Sequence, residues 1–126
     1  MGPKHFLNFE KISNQEFVSI IERGIELKNS NETEKTLKGK ILGLVFEQPS
    51  TRTRVSFEVG INDLGGSSIF LSGSELQLSR GEPISDTAKV LSSMIDVIVL
   101  RTDNHEKLEI FSQNSSVPII LSLIHI

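Results

Sequence analysis

Four short apolar runs alternating with stretches of helical spacing constrain this chain more than any other feature. They lie at residues 40–46, 68–71, 97–100 and 117–120. The first carries Ile41, Leu42, Leu44, Val45 and Phe46 with no polar alternation, the pattern of a strand buried on both faces. Ahead of it, Ser13 and Glu16 form a capping box, and Ile12 and Phe17 have the spacing of a hydrophobic staple. Phe17, Ile20, Ile21 and Ile25 step at helical period, so residues 14–28 are predicted to be an amphipathic helix. Residues 52–64 form a second helix, apolar on two sides, with Val55 and Val59 nearly opposite Phe57, Ile61 and Leu64. That pattern predicts a helix lying between layers, ended by Gly65 and Gly66. Ser85 is expected to cap a third helix with Ala88, Leu91 and Ile95 on one face and Val90 and Met94 beside it. A fourth starts at Asp103 or Asn104 and carries Leu108 and Phe111. Strand and helix alternating in this way call for an α/β fold, a parallel sheet flanked by helices on both faces.

The junction after the first strand is chemically the most loaded part of the chain. It reads Phe46-Glu47-Gln48-Pro49-Ser50-Thr51-Arg52-Thr53-Arg54 and runs on into Val55-Ser56-Phe57-Glu58. Pro49 pushes Gln48 out of helical geometry, and Ser50 or Thr51 stands where an N-cap is wanted. Beyond it, unpaired N–H groups, the positive end of the helix dipole, three hydroxyls and Arg52 are directed at one place. This is the composition of a phosphate site. Arg54 points elsewhere, about 200° around the helix from Arg52, and reads as structural.

The remaining candidates fall on the same edge of the sheet. Ser50, Thr51, Arg52 and Thr53 follow the first strand, Gln77 follows the second, and Arg101 ends the third. Open parallel sheets bind ligands outside the carboxyl ends of their strands.

Composition removes several other functions. With 16 acidic against 13 basic residues the net charge is −3, without the basic stripe of a nucleic-acid surface. No apolar run approaches the roughly 20 residues of a membrane span, and the N-terminus lacks a signal-peptide core, so a cytoplasmic location is expected. With no cysteine there is neither a disulfide framework nor thiolate chemistry. The sequence has no Walker A motif, no G-x-G-x-x-G and no ligand-spaced Cys/His cluster, so no metal or organic cofactor is expected.

The chain resembles the carbamoyltransferases, and among them most closely the ornithine branch. The resemblance covers residues 6–120 and rests on three blocks. These are Phe46 to Arg54, Gln77 with Arg80-Gly81-Glu82-Pro83-Ile84-Ser85-Asp86-Thr87-Ala88, and Arg101-Thr102. It implies the N-terminal half of a two-domain enzyme that transfers a carbamoyl group from carbamoyl phosphate to the side-chain amine of L-ornithine. By the same resemblance Ser50, Thr51, Arg52 and Thr53 grip the phosphate, with Thr53 also near the carbonyl. Arg101 spans phosphate and carbonyl oxygen, and Arg52, Thr53 and Arg101 form the catalytic set. Gln77 matches a ligand that the family supplies from a neighbouring subunit of a homotrimer. Such chemistry suits a site rich in fixed donors and poor in carboxylates, since both the carbonyl oxygen and the leaving phosphate gain charge.

The aspartate branch usually has a Ser and a Lys in the mobile loop and a His after the strand-end arginine. Gln77, Arg80 and Thr102 favour the ornithine branch, with N-acylated-ornithine enzymes and a non-catalytic anion-binding module as further alternatives. Glu82 reads as a counter-ion to an arginine, Asp86 as a first-turn helix charge, and His105 as a surface residue. The family continues its fourth strand into Asn-Gly-Leu and later His-Pro-x-Gln, where this chain has Leu121-Ser122-Leu123-Ile124-His125-Ile126. Residues 1–120 are therefore expected to be a carbamoyl phosphate-binding domain and 121–126 a divergent tail, with His125 given no role and the ornithine-binding domain absent.

Overall fold

A computed structural model of the chain describes residues 5–6, 12–29, 36–47, 50–72, 84–102 and 105–121. In chain order the elements are α1 (Asn14–Asn29), β1 (Ile41–Phe46), α2 (Thr51–Asp63) and β2 (Ser67–Ser72). They continue with α3 (Ile84–Ser92), β3 (Val97–Arg101), α4 (His105–Asn114) and β4 (Ile119–Leu121). The strands form one sheet in the order β2-β1-β3-β4, and every pair is parallel. From β1 the chain crosses to β2 on one side, then returns past β1 to β3 and on to β4. Right-handed crossovers in opposite directions put α2 on one face and α3 and α4 on the other.

Side-chain alternation matches that division. Leu42, Leu44 and Phe46 of β1 pack with Val99 of β3 and Ile61 of α2. On the opposite face Val45, Ile98, Leu100 and Ile119 pack with Ala88 of α3 and with Leu108 and Phe111 of α4. Leu44, Val45, Ile98 and Val99 are fully buried, as the uninterrupted apolar runs require of strands covered on both sides. The N-terminal edge of the sheet is tied by Asp96, whose Oδ2 accepts the Ile41 N–H at 2.8 Å while its own N–H donates to Ile41 O at 2.9 Å. Beyond β4, Phe6 adds a single parallel bridge to Ile120.

α2 closes with the pattern its two glycines foretell. Gly65 takes φ 93°, its N–H donates to Asn62 O at 3.1 Å, and the Gly66 N–H donates to Ile61 O at 2.8 Å. These are the paired bonds of a Schellman motif, and the left-handed residue between them wants no side chain. At the start of α1, Ser13 Oγ accepts the Glu16 N–H at 3.1 Å, a bond of the expected capping box.

One expectation needs correction. α2 does not lie between layers: Phe57, Ile61 and Leu64 pack inward, but Val55 and Val59 are half-exposed because no described element covers them. Val90 and Met94 of the α3 region are likewise exposed, since only the Ala88 side meets the sheet and α4. α1 is helical as predicted, yet Phe17, Ile20, Ile21 and Ile25 are all exposed and none of its residues is buried. Smaller shifts are at element ends: β4 starts at Ile119 rather than Val117, α4 starts at His105, and α3 starts at Ile84, so Ser85 lies inside its first turn and is not its cap.

Candidate functional site

The carboxyl edge of β1 and β3 brings together residues far apart in sequence. Register pairs Phe46 with Arg101, so the two side chains leave the same face of the sheet, the one that carries α2. Phe46 is buried beneath α2 and meets Phe70 edge-on at 5.4 Å between ring centroids. Arg101 runs over the end of the strand instead, and its Nη1 donates to Thr53 Oγ1 at 3.0 Å in the first turn of α2. Ser50 Oγ donates to the same Thr53 oxygen at 3.0 Å. Ser50, Thr53 and Arg101 thus form one connected cluster.

Ser50 is the N-cap by backbone geometry, at φ −153° and ψ 100°, but its hydroxyl makes no cap bond. Its carbonyl accepts the Arg54 N–H at 3.0 Å. The leading N–H groups of an α-helix have no intrahelical acceptor, and here the usual side-chain substitute is engaged elsewhere. Those donors and the dipole of α2 are left for something outside the helix.

Arg101 is 7% exposed, and its Nε is buried with no hydrogen-bond partner among the described residues. A guanidinium held this way is a desolvated charge with donor capacity to spare. Thr51 and Arg52 stand on the same first turn with exposed side chains, and Arg52 makes no ion pair among the described residues. Arg54 has the structural role expected of it: Nε pairs with Glu58 Oε1 at 2.8 Å, and the guanidinium lies 3.9 Å over the Phe70 ring. Asp86 stands in the first turn of α3 as expected. Gln77, Arg80, Glu82 and the tail with His125 lie outside the described residues, as does the His105 side chain.

Among the described residues the cluster offers positive donors and no acceptor side chain except hydroxyls, which makes it complementary to an oxyanion. No group of three or more His, Cys, Asp or Glu among the described residues could hold a metal ion.

Sequence reasoning gave Glu47 and Lys107 no part in this edge. Glu47 Oε2 accepts from Thr102 Oγ1 at 3.0 Å, and Oε1 from Lys107 Nζ at 2.9 Å. A signal was present: Glu47 is the first polar residue after an apolar run, Thr102 directly follows the arginine that ends another, and Lys107 is a cation near the start of a helix, where the dipole disfavours it.

Over 123 residues the chain is 54% identical to an ornithine carbamoyltransferase of Methylococcus capsulatus, covering 98% of this chain and 41% of that one. The crystal structure of an anabolic ornithine carbamoyltransferase from Campylobacter jejuni superposes with a TM-score of 0.90 at 44% identity, over 95% of this chain and 39% of that one. The catalytic subunit of M. jannaschii aspartate transcarbamoylase gives 0.85 at 37% identity, over 97% and 42%. The chain therefore spans about two-fifths of the length of these relatives. Residues 4–124 match the family described as aspartate/ornithine carbamoyltransferase, carbamoyl-P binding domain, and the chain belongs to that family.

Proposed function

We propose that this chain is the donor-binding part of an ornithine carbamoyltransferase, which moves the carbamoyl group of carbamoyl phosphate to the ornithine side-chain amine. The single observation that carries the reading is Arg101, buried, reaching Thr53 at the start of α2, with an Nε that lacks a partner. A phosphate placed at this helix start meets the leading N–H groups, the hydroxyls of Ser50, Thr51 and Thr53, and the fork of Arg52.

In the reaction the amine nitrogen bonds to the carbamoyl carbon and loses a proton. The carbon–oxygen bond to phosphate breaks, and the phosphate leaves with the electron pair. Charge grows on the carbonyl oxygen at the tetrahedral stage and on the phosphate as it departs. In this reading the one guanidinium of Arg101 serves both, as the family resemblance implies, and the α2 dipole favours the departing anion. The identity of the amine rests on the similarity to ornithine carbamoyltransferases. A trimeric assembly, with a place for Gln77 in a neighbouring subunit's site, is what the family resemblance implies. No helix among the described residues is long and apolar enough to cross a membrane.

Titration calorimetry with carbamoyl phosphate tests the donor site, and a chain without affinity overturns it. Phosphate release from carbamoyl phosphate in the presence of ornithine, N-acetylornithine or aspartate tests the amine. A protein that turns over with aspartate and not ornithine belongs to the other branch, to which the M. jannaschii structure is also similar.

A further inference from the structure

Glu47 is the first residue beyond β1, Thr102 the first beyond β3, and the two strands are neighbours. Because strand side chains alternate, Phe46 and Arg101 leave the sheet toward α2, and Glu47 and Thr102 leave it toward α3 and α4. The Glu47 carboxylate there takes the Thr102 hydroxyl on one oxygen and the Lys107 ammonium of α4 on the other. The Glu47 N–H meanwhile donates to the Arg101 carbonyl at 3.0 Å. One residue thus binds the carbonyl of the peptide unit joining Arg101 to Thr102 and the side chain that follows it.

An ordinary surface ion pair is worth little, and the Lys107 and Glu47 side chains are 31% and 16% exposed. Two features separate this contact from that case. Lys107 stands near the start of α4, where a cation opposes the helix dipole, so the placement has no local advantage. The pair also keeps a carboxylate that sits beside an anion site on the far face of the sheet, with its charge matched. Among the described residues the Arg101 side chain has one hydrogen-bond partner, Thr53. Where its guanidinium stands therefore depends on how firmly its peptide is held.

We propose that Glu47 is a positioning residue for Arg101: with Thr102 and Lys107 it fixes the end of β3 so that the guanidinium meets the phosphate without rearrangement. The assignment rests on the donor-site reading above. The test is titration of the 126-residue chain with carbamoyl phosphate, for Glu47→Ala and Glu47→Gln, each in the native and in an Arg101→Lys background. In the native background Glu47→Ala should weaken binding about tenfold, within the coupling range for residues sharing one hydrogen-bond network. Glu47→Gln keeps an acceptor oxygen and should restore part of the loss. In the Arg101→Lys background, where a flexible point charge replaces a rigid fork, Glu47→Ala should change affinity less than about twofold. Equal losses in both backgrounds would mean that Glu47 serves the fold or the general field, and the positioning role falls. Should Glu47→Ala not fold, Lys107→Met supplies the same comparison, with a smaller loss expected in the native background and none beside Arg101→Lys. A native chain that does not bind carbamoyl phosphate overturns the donor site and the positioning role together. Binding without coupling to Arg101 overturns the positioning role alone.

Discussion

Replacing Arg101 with methionine should make the ligand-free chain more stable while destroying much of its affinity for carbamoyl phosphate. Methionine keeps an unbranched apolar stem against the end of β3 and removes the guanidinium. That group is 7% exposed, has one hydrogen bond to a neutral hydroxyl, and has an Nε without a partner among the described residues. A buried unsatisfied donor costs about 1–3 kcal/mol, and an incompletely paired buried charge adds to that. Removing both should raise stability by about 1–3 kcal/mol, or several degrees in Tm for a chain of this size. With ligand the sign reverses. Truncating one partner of a buried, hydrogen-bonded charge pair costs about 2–5 kcal/mol, so affinity should fall by about 30-fold to several thousandfold. Thermal denaturation without ligand, set beside calorimetric titration, reads both quantities. A variant that melts lower than the native chain would show the guanidinium to be a structural support. Unchanged affinity would remove Arg101 from the site.

Ser50→Ala should cost less than about 0.5 kcal/mol in denaturant unfolding, well under the usual cap loss of about 1 kcal/mol, because this hydroxyl does not cap its helix. The same substitution should weaken carbamoyl phosphate binding by about 1 kcal/mol, one hydrogen bond's worth, in a calorimetric titration. Phe111→Ala should cost about 3–5 kcal/mol, since the ring is buried at 1% exposure among the residues of the α3–α4 face; urea unfolding reads it, and a loss below about 1 kcal/mol would mean that this core is not packed as described. Gly66→Ala would set a Cβ at 2.8 Å from the Lys40 carbonyl oxygen, a backbone atom that cannot swing away. It should destabilise the α2–β2 turn by about 1–3 kcal/mol, measurable as a lower urea midpoint at constant slope.

Much of this molecule was legible because its strands are covered on both faces. A run such as Ile41 to Phe46 has no other soluble explanation at that length, and once four such runs alternate with helices the parallel order follows. The meeting of Ser50, Thr53 and Arg101 at one edge followed in turn, since each comes at the carboxyl end of a strand. Periodicity reports that a helix face is apolar and is silent on what covers it. That is why the two apolar sides of α2 predict a helix between layers although Val55 and Val59 are exposed. The behaviour of Ser50 was beyond local rules as well. Whether its hydroxyl bonds a helix N–H or Thr53 depends on Thr53 already serving Arg101, 48 residues further along. Glu47 escaped for a related reason: both of its side-chain partners arrive from β3 and α4, more than 50 residues away.

The order of strands in the sheet carries a kinetic consequence. β1, α2 and β2 are consecutive in sequence and mutually adjacent, so they can form as a local unit at small loop-closure cost. β3 must then come back past β1, by way of α3, to pair on its other side, and Arg101 travels with it. The start of α2 can thus exist before its buried arginine arrives, and the complete anion site exists only in the last arrangement reached. A ligand that recognises only that arrangement acts as a brake on escape and not as a template for assembly. Carbamoyl phosphate should therefore slow unfolding in stopped-flow measurements and leave the refolding rate unchanged. Faster refolding in its presence would place the docking of β3 ahead of the rate-limiting step.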